Sequence, residues 1–419
     1  MHASPTIPSH SQPAPVSRYA WFVLALLAPV VLLNFMDRQM MASMKYSIMA
    51  DITDLDTEAK WGLLPALFKW TYAILSPVGG YIADRFSKKH LITASLFVWS
   101  AVTWATGHAQ TFEQLAWSRA IMGVSEALYI PAALALIADY HTGPTRSRAM
   151  GIHQMALYMG VMIGGFSGYV ADSPALGWRF AFDAAGIVGV VYAVPLFFLL
   201  KNAPCDNAAA QPQKPSAGHA LVELFSNKYF LLMLVYFTLP GLAGHVVTDW
   251  MPAIMKQQFD ISQGQAGVSA TLFVNIASLA GAVAGGFLAD RWMRGTNRGR
   301  IYTSAIGVGC IIPTLYGAGN AGTLAVAVVF LVVFGIGKGF YDTNQMPILC
   351  QIVRPELRAT GYGIMNLAGI SCGGFAAWGV GIMRDHGMPV NLIFTAFAAL
   401  CVLSGVVVLL IKPDRRLLQ

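Results

Sequence analysis

The 419 residues are 56% hydrophobic and 11% charged, with a mean hydropathy of +0.57. A soluble domain carries about 25% charged residues, so this chain has too few charges to cover a water-facing surface, and a soluble enzyme is excluded. The net charge of +7 does not point to nucleic acid either, because the basic residues are scattered between apolar runs instead of gathered among aromatics.

The chain opens on residues 1–18, rich in Pro, Ser and His. This segment lacks the basic start and apolar stretch of a cleavable signal and reads as a disordered cytoplasmic tail. From Tyr19 onward come apolar runs of the length needed to cross about 30 Å of hydrocarbon at about 1.5 Å per residue. Twelve are counted, centred on Leu27, Ile74, Phe97, Ala127, Met159, Val190, Leu239, Ile276, Val308, Val332, Ile370 and Ala399. The expected fold class is an all-α membrane protein of twelve transmembrane helices. The even number puts both termini on one side.

Lys and Arg gather on alternate connections. They include Arg85, Lys88 and Lys89, then Arg146 and Arg148, Lys201, Lys214 and Lys228, the run from Arg291 to Arg300, Arg354 and Arg358, and the tail Lys412, Arg415 and Arg416. The opposite connections are poor in them, and the first carries Asp51, Asp54, Asp56 and Glu58. The positive-inside bias makes the basic side cytoplasmic, with both termini there and the chain in the cell inner (plasma) membrane.

After the second span the chain reads Gly80-Tyr-Ile-Ala-Asp84-Arg85-Phe-Ser-Lys88-Lys89, and after the eighth, half a chain later, Gly286-Phe-Leu-Ala-Asp290-Arg291. The repeat implies two related six-helix halves, 19–202 and 228–412. They are joined by a cytoplasmic linker, 203–227, whose Pro, Ala, Gln and Ser suggest a flexible chain, and are followed by a tail, 413–419.

This twice-used phrase resembles the loop signature of the major facilitator superfamily, a specific match whose topology covers nearly the whole chain. The resemblance implies a fold of two pseudo-symmetric halves that rock about a central site, with Gly80, Asp84, Arg85 and Lys88 and the second set Gly286, Asp290 and Arg291 as gating elements. Gly80 is expected to let two helices approach closely and Asp84 to accept from a neighbouring helix N-terminus. Ser87 stands where the family usually has Gly, which loosens the expected turn.

Two subfamilies are resembled. Asn34-Phe-Met-Asp37-Arg38 with Ser118-Arg119-x-x-Met-Gly123-x-x-Glu126-Ala127 looks like both the anion:cation symporters of sugar acids and the spinster-type lipid transporters. Trp250-Met-Pro252 and Gly177-Trp178-Arg179 favour the organic-anion group, and Trp99-Ser100-Ala101-Val102-Thr103 the spinster-like one.

Ionisable groups inside a span cost on the order of 3 kcal/mol each unless paired or hydrated, so they should face a cavity. Arg119 and Glu126, seven apart, share a helix face but sit roughly 10 Å from one another, so each needs a partner on another helix. Asp37 is the candidate, since the resemblance puts the first and fourth helices beside the central cavity. Asp37 and Glu126 are expected to be the proton-coupling acids, and Arg119 their counter-ion or the anchor of a substrate carboxylate; a static tethering pair is the alternative.

Lys69 and Lys338 add positive charge to the expected cavity and favour an anionic substrate; snorkelling of Lys69 and pairing of Lys338 with Asp342 are the plainer readings. Tyr341, Asp342 and Asn344, near Pro347, could serve hydroxyl groups on a substrate, as could His153, Gln154 and Asn275. His245 and Asp249 have i, i+4 spacing, too few ligands for a metal centre. Four of the five cysteines fall in apolar runs without ligand spacing, and no phosphate-cradling or nucleophile motif is present, so neither cofactor nor metal is expected. The reading is a monomeric, proton-coupled transporter of a small organic anion, a sugar acid or carboxylate, with a spinster-like carrier of lysolipid or another amphiphile as the alternative. A sensor built on the same fold would have no physical reason to keep the cavity charges.

Overall fold

Inside a bilayer a backbone satisfies its own N–H and C=O groups only as a helix or a closed barrel. The computed structural model describes residues 17–141, 145–203 and 217–417 and is helical throughout. The first part holds α1 (Arg18–Ser43), α2 (Lys45–Asp51), α3 (Glu58–Arg85), α4 (Lys88–Gly107), α5 (Phe112–Tyr140), α6 (Thr145–Gly165), α7 (Ser167–Asp172) and α8 (Gly177–Leu199). After α9 (Ala217–Ser226) follow α10 (Lys228–Phe259), α11 (Gln263–Met293), α12 (Gly299–Gly319), α13 (Leu324–Ile352), α14 (Arg358–Asp385) and α15 (Val390–Leu410).

Among the described residues twelve helices are at least 20 residues long, and each of the twelve expected centres falls inside one of them. Nine segments pass a plain length-and-hydropathy test for a span. Those that do not are α3, α4 and α6, which carry groups such as Lys69, the Lys88-Lys89-His90 start and His153. The chain is a multi-pass membrane protein. Side-chain caps at Ser17, Thr57, Ser87, Thr111, Asn227, Ser262 and Thr323 satisfy helix N-termini and keep the connections short. Ser87 is therefore a cap, not merely a looser turn.

The two halves repeat one packing scheme. In the first, α1 lies on α6, α3 on α5, and α4 on α5 and α8; in the second, α10 lies on α14, α11 on α13, and α12 on α13 and α15. The halves meet along two equivalent seams, α3 against α14 and α6–α7 against α11. Glycines make both seams tight: a Cβ on Gly381 would stand 2.2 Å from the Glu58 carbonyl oxygen, and one on Gly168 would stand 2.4 Å from that of Gln263.

The same electrostatic device closes each seam on the side away from the termini. Asp385, ending α14, accepts from the Glu58 and Ala59 N–H groups of α3, both at 2.8 Å. Asp172, ending α7, accepts from the Gly264 N–H of α11 at 2.9 Å and from Gln263 Nε2 at 3.1 Å. Each carboxylate thus sits on the positive end of a helix belonging to the other half. Arg384 approaches Glu58 at 3.6 Å, Glu58 also takes the ammonium of buried Lys45, and the Tyr46 N–H donates to Gln263 Oε1 at 3.0 Å. This side is shut.

The expected linker contains a helix, α9, whose Glu223 accepts from Arg354 Nε at 2.7 Å and ties it to the end of α13. The rest of it, 204–216, with residues 1–16 of the first tail and 418–419 of the last, lies outside the described residues.

Candidate functional site

Between the halves lies a cavity of about 510 Å³, lined from α1, α3, α5, α6 and α10 to α14. Prolines and glycines shape its walls, with Pro65, Pro240, Gly241, Gly244 and Gly369 on its surface. Most of the lining is apolar and aromatic, including Phe35, Phe68, Ile130, Leu157, Phe237, Val274, Phe334 and Ile370. Into this surface project Arg38, Lys69, Arg119, His245, Asp249, Lys338 and Asp342.

Two arginine–carboxylate pairs stand at one wall. Arg119 of α5 reaches Asp37 of α1 at 3.0 Å, with the two side chains 3% and 2% exposed, and also donates to the Thr106 hydroxyl at 3.0 Å. This is the cross-helix partnership that the seven-residue spacing of Arg119 and Glu126 demands. The partner of Glu126 is Arg38, whose Nε donates at 2.9 Å and which also donates to Asn34 at 3.2 Å. The Arg38 guanidinium lies 4.5 Å from the ring centroids of both Phe35 and Phe68, an apolar clamp that fixes its direction. Sequence reasoning placed Arg38 in a span without giving it a role; its four-residue spacing from Asn34 was the available signal.

In both pairs one carboxylate oxygen is engaged and the other is not. Asp37 Oδ1 and Glu126 Oε1 are buried and carry no hydrogen bond in the described structure. A buried acceptor left unpaired costs roughly 1–3 kcal/mol, and each pair carries one such oxygen.

Two lysine–carboxylate pairs also line the cavity. Lys69 of α3 bonds Asp249 of α10 across the halves, whereas Lys338 and Asp342 pair within α13. Tyr341 lines the cavity and donates to the Phe237 carbonyl, and Asn275 lines it while donating to the Thr271 carbonyl at 2.7 Å.

Three expected substrate contacts lie elsewhere. His153 is buried in the first half against Tyr129, Nε2 to hydroxyl at 3.3 Å, because α6 turns that face into the bundle. Gln154, one residue on, is exposed and outside the cavity lining. Asn344 is fully buried and donates to the Phe340 carbonyl at 2.9 Å, one turn back on its own helix.

The Gly-x-x-x-Asp-Arg-x-x-Lys-Lys phrase closes α3 at Arg85 and opens α4 at Lys88. Lys88 pairs with Asp139 at 2.9 Å, the Arg85 guanidinium stands 3.8 Å from the Tyr81 ring centroid, and Asp290 meets Arg300 at 3.3 Å. Arg291 ends its helix as a basic residue of the last turn. The side chain of Asp84 lies outside the described residues. Gly80 is not the point of close approach, since nothing lies within 4 Å of a Cβ built there, and Gly286 meets only Thr343 at 3.6 Å. The neighbouring Gly79 and Gly285 make the approaches instead, at 2.3 Å to the Ala127 carbonyl oxygen and 2.9 Å to Phe340 Cα, because one step along a helix turns a residue by about 100°.

The family model described as Major Facilitator Superfamily matches residues 27–378. The chain belongs to the major facilitator superfamily. Within this superfamily it is similar to the protein spinster of Drosophila melanogaster, at 26% identity over 379 residues, covering 86% of this chain and 61% of that protein. It is also similar to an MFS-type efflux pump of Mycolicibacterium smegmatis, at 26% identity over 373 residues, covering 88% and 85%. The chain thus spans under two thirds of the spinster protein's length but most of the bacterial pump. In fold it resembles a bacterial homologue of the human lysosomal transporter spinster, crystallised inward-facing and unoccupied, with a TM-score of 0.80, 20% identity and coverage of 95% of this chain and 98% of that one.

Proposed function

We propose that this superfamily member is a proton-coupled secondary transporter of an anionic amphiphile, an organic anion carrying an apolar body. The single observation that carries the substrate class is the composition of the cavity wall: a mostly aliphatic and aromatic surface into which four cations, Arg38, Lys69, Arg119 and Lys338, and two carboxylates, Asp249 and Asp342, project. Arg38 and Lys69, held by Glu126 and Asp249, can exchange those carboxylates for an anionic group of the substrate, and the phenylalanines and branched residues receive a chain that leaves water at about 25 cal/mol per Å². The likeness to the sphingosine-1-phosphate transporter SPNS2 of Xenopus tropicalis, at 28% identity over 205 residues, supports this choice over a sugar acid. A small, many-hydroxyl substrate would leave most of the apolar wall unsatisfied.

Coupling is assigned to Asp37 and Glu126. Protonation of Glu126 frees Arg38 to face the cavity, and protonation of Asp37 does the same for Arg119, so the carboxylates and the substrate anion compete for the same guanidinium groups and proton uptake favours anion binding. The terminal side is taken as cytoplasmic from its Lys and Arg, and the seam closed by Asp385 and Asp172 as the outer gate of a state open to the cytoplasm.

The test is transport in proteoliposomes under an imposed proton gradient, with labelled lysophosphatidate, labelled glucuronate and a neutral monoacylglycerol. Gradient-dependent movement of lysophosphatidate, lost in Asp37→Asn and in Glu126→Gln, is expected. Movement of glucuronate alone would return the function to sugar-acid symport. Movement of the neutral lipid at the same rate as the anion would refute the role of the cations.

A further inference from the structure

The cavity charges differ in what they join. Asp37 with Arg119, Arg38 with Glu126, and Lys338 with Asp342 each lie within one half. Lys69 and Asp249 alone, among the described ion pairs lining the cavity, belong to different halves, α3 and α10. Both side chains are largely buried, at 9% and 14% exposure, yet both form part of the cavity wall. An anion entering the cavity therefore meets an ammonium whose present partner is a carboxylate of this chain.

We infer that Asp249 is a built-in competitor for the substrate's anionic group: the Lys69–Asp249 pair locks the empty halves together across the cavity, and the substrate anion opens the lock by replacing Asp249 on Lys69. This rests on the anionic-substrate reading and adds to it the mechanism by which binding is felt by both halves. Removing a partner from a buried pair leaves an uncompensated charge, so the empty carrier resists separation of α3 and α10. When the substrate supplies the counter-charge to Lys69, the first half is satisfied without the second. The released Asp249 remains in a cavity that contains Arg38, Lys338 and His245, one turn back on its own helix. A ligand moves a conformational equilibrium only by its differential affinity for the two states, and exchange of a cross-half partner supplies such a difference.

The consequence separates this role from that of a static strut. A strut weakens alike when either partner is removed. A competitor does not: Asp249→Asn should tighten anion binding and Lys69→Gln should weaken it, each by a factor in the range of about 5–150 expected of a coupling of this kind.

The experiment measures equilibrium binding of lysophosphatidate, glucuronate and monoacylglycerol to the full chain in detergent micelles, for wild type, Lys69→Gln, Lys69→Arg, Asp249→Asn and the double variant Lys69→Gln/Asp249→Asn. Lysophosphatidate should bind more tightly to Asp249→Asn, more weakly to Lys69→Gln and to the double variant, and near wild-type strength to Lys69→Arg. Monoacylglycerol binding should be the same in all five, which also shows that the variants are folded. Weaker lysophosphatidate binding in both single variants overturns the lock while leaving the anionic amphiphile in place. The same opposite-sign pattern seen with glucuronate alone keeps the lock and overturns the amphiphile. Binding of neither anion to wild type overturns both.

Discussion

Replacing Asp385 with alanine removes the acceptor of two N–H groups in the first turn of α3, each at 2.8 Å. Losing a carboxylate from a helix N-terminus costs typically about 1 kcal/mol through the cap and a further 0.3–1 kcal/mol through the dipole, roughly 1–2 kcal/mol in all at an exposed site. The acceptor and the helix belong to different halves, so the cost falls on the state in which this side is closed, and water takes the freed N–H groups once it opens. The ratio of open to closed molecules should rise about 5- to 30-fold. Asp172, at the equivalent seam, shares no bonding partner with Asp385, so the Asp172→Ala effect should add in free energy and the two fold-changes should multiply. Spin labels at the exposed positions Gln110 and Gly322, one in each half, report the separation by pulsed dipolar spectroscopy. A long-distance population that grows in each single variant and grows further in the double is expected. Unchanged distances in the double variant would refute the view that helix-end carboxylates hold this side shut.

Three other perturbations separate the roles assigned above. Arg119→Ala strands Asp37 in a site where it is 2% exposed, and removing one partner of a buried pair costs about 3–5 kcal/mol; a thermal-shift assay should show a clear loss that Asp37→Asn in the same chain partly restores. Gly79→Leu should abolish folding or expression, because a Cβ there would stand 2.3 Å from the Ala127 carbonyl oxygen, whereas Gly80→Ala has open space and should leave both expression and transport near wild type. His153→Ala removes the partner of Tyr129 in the core of the first half and should lower stability by about 1–3 kcal/mol while leaving the affinity for transported anion unchanged; a shift in affinity would place His153 back at the substrate.

The architecture was legible because bilayer spans have a length and apolarity that need no tertiary information, and the repeated Gly-x-x-x-Asp-Arg phrase marked the half-chain period. Pairing was legible only where geometry forbade the alternative: Arg119 and Glu126, two turns apart on α5, had to look elsewhere, and Arg119 does bond Asp37. That Arg38 rather than Asp37 meets Glu126 depends on helix rotation, which an almost uniformly apolar helix does not encode. The same ambiguity misplaced Gly80 for Gly79, and His153, Gln154 and Asn344, since polarity inside a span does not reveal whether a residue faces a cavity, a neighbouring helix or its own backbone. The lock between Lys69 and Asp249, separated by 180 positions, needed the assembled halves.

The central claim is that Glu126 carries protons coupled to substrate movement, and the most direct measurement compares two modes of transport in Glu126→Gln proteoliposomes. Exchange of labelled for unlabelled lysophosphatidate at equal pH needs no net proton movement and should persist, while accumulation or expulsion driven by an imposed proton gradient should be lost. Gradient-driven transport that survives in Glu126→Gln at the wild-type rate would contradict the account.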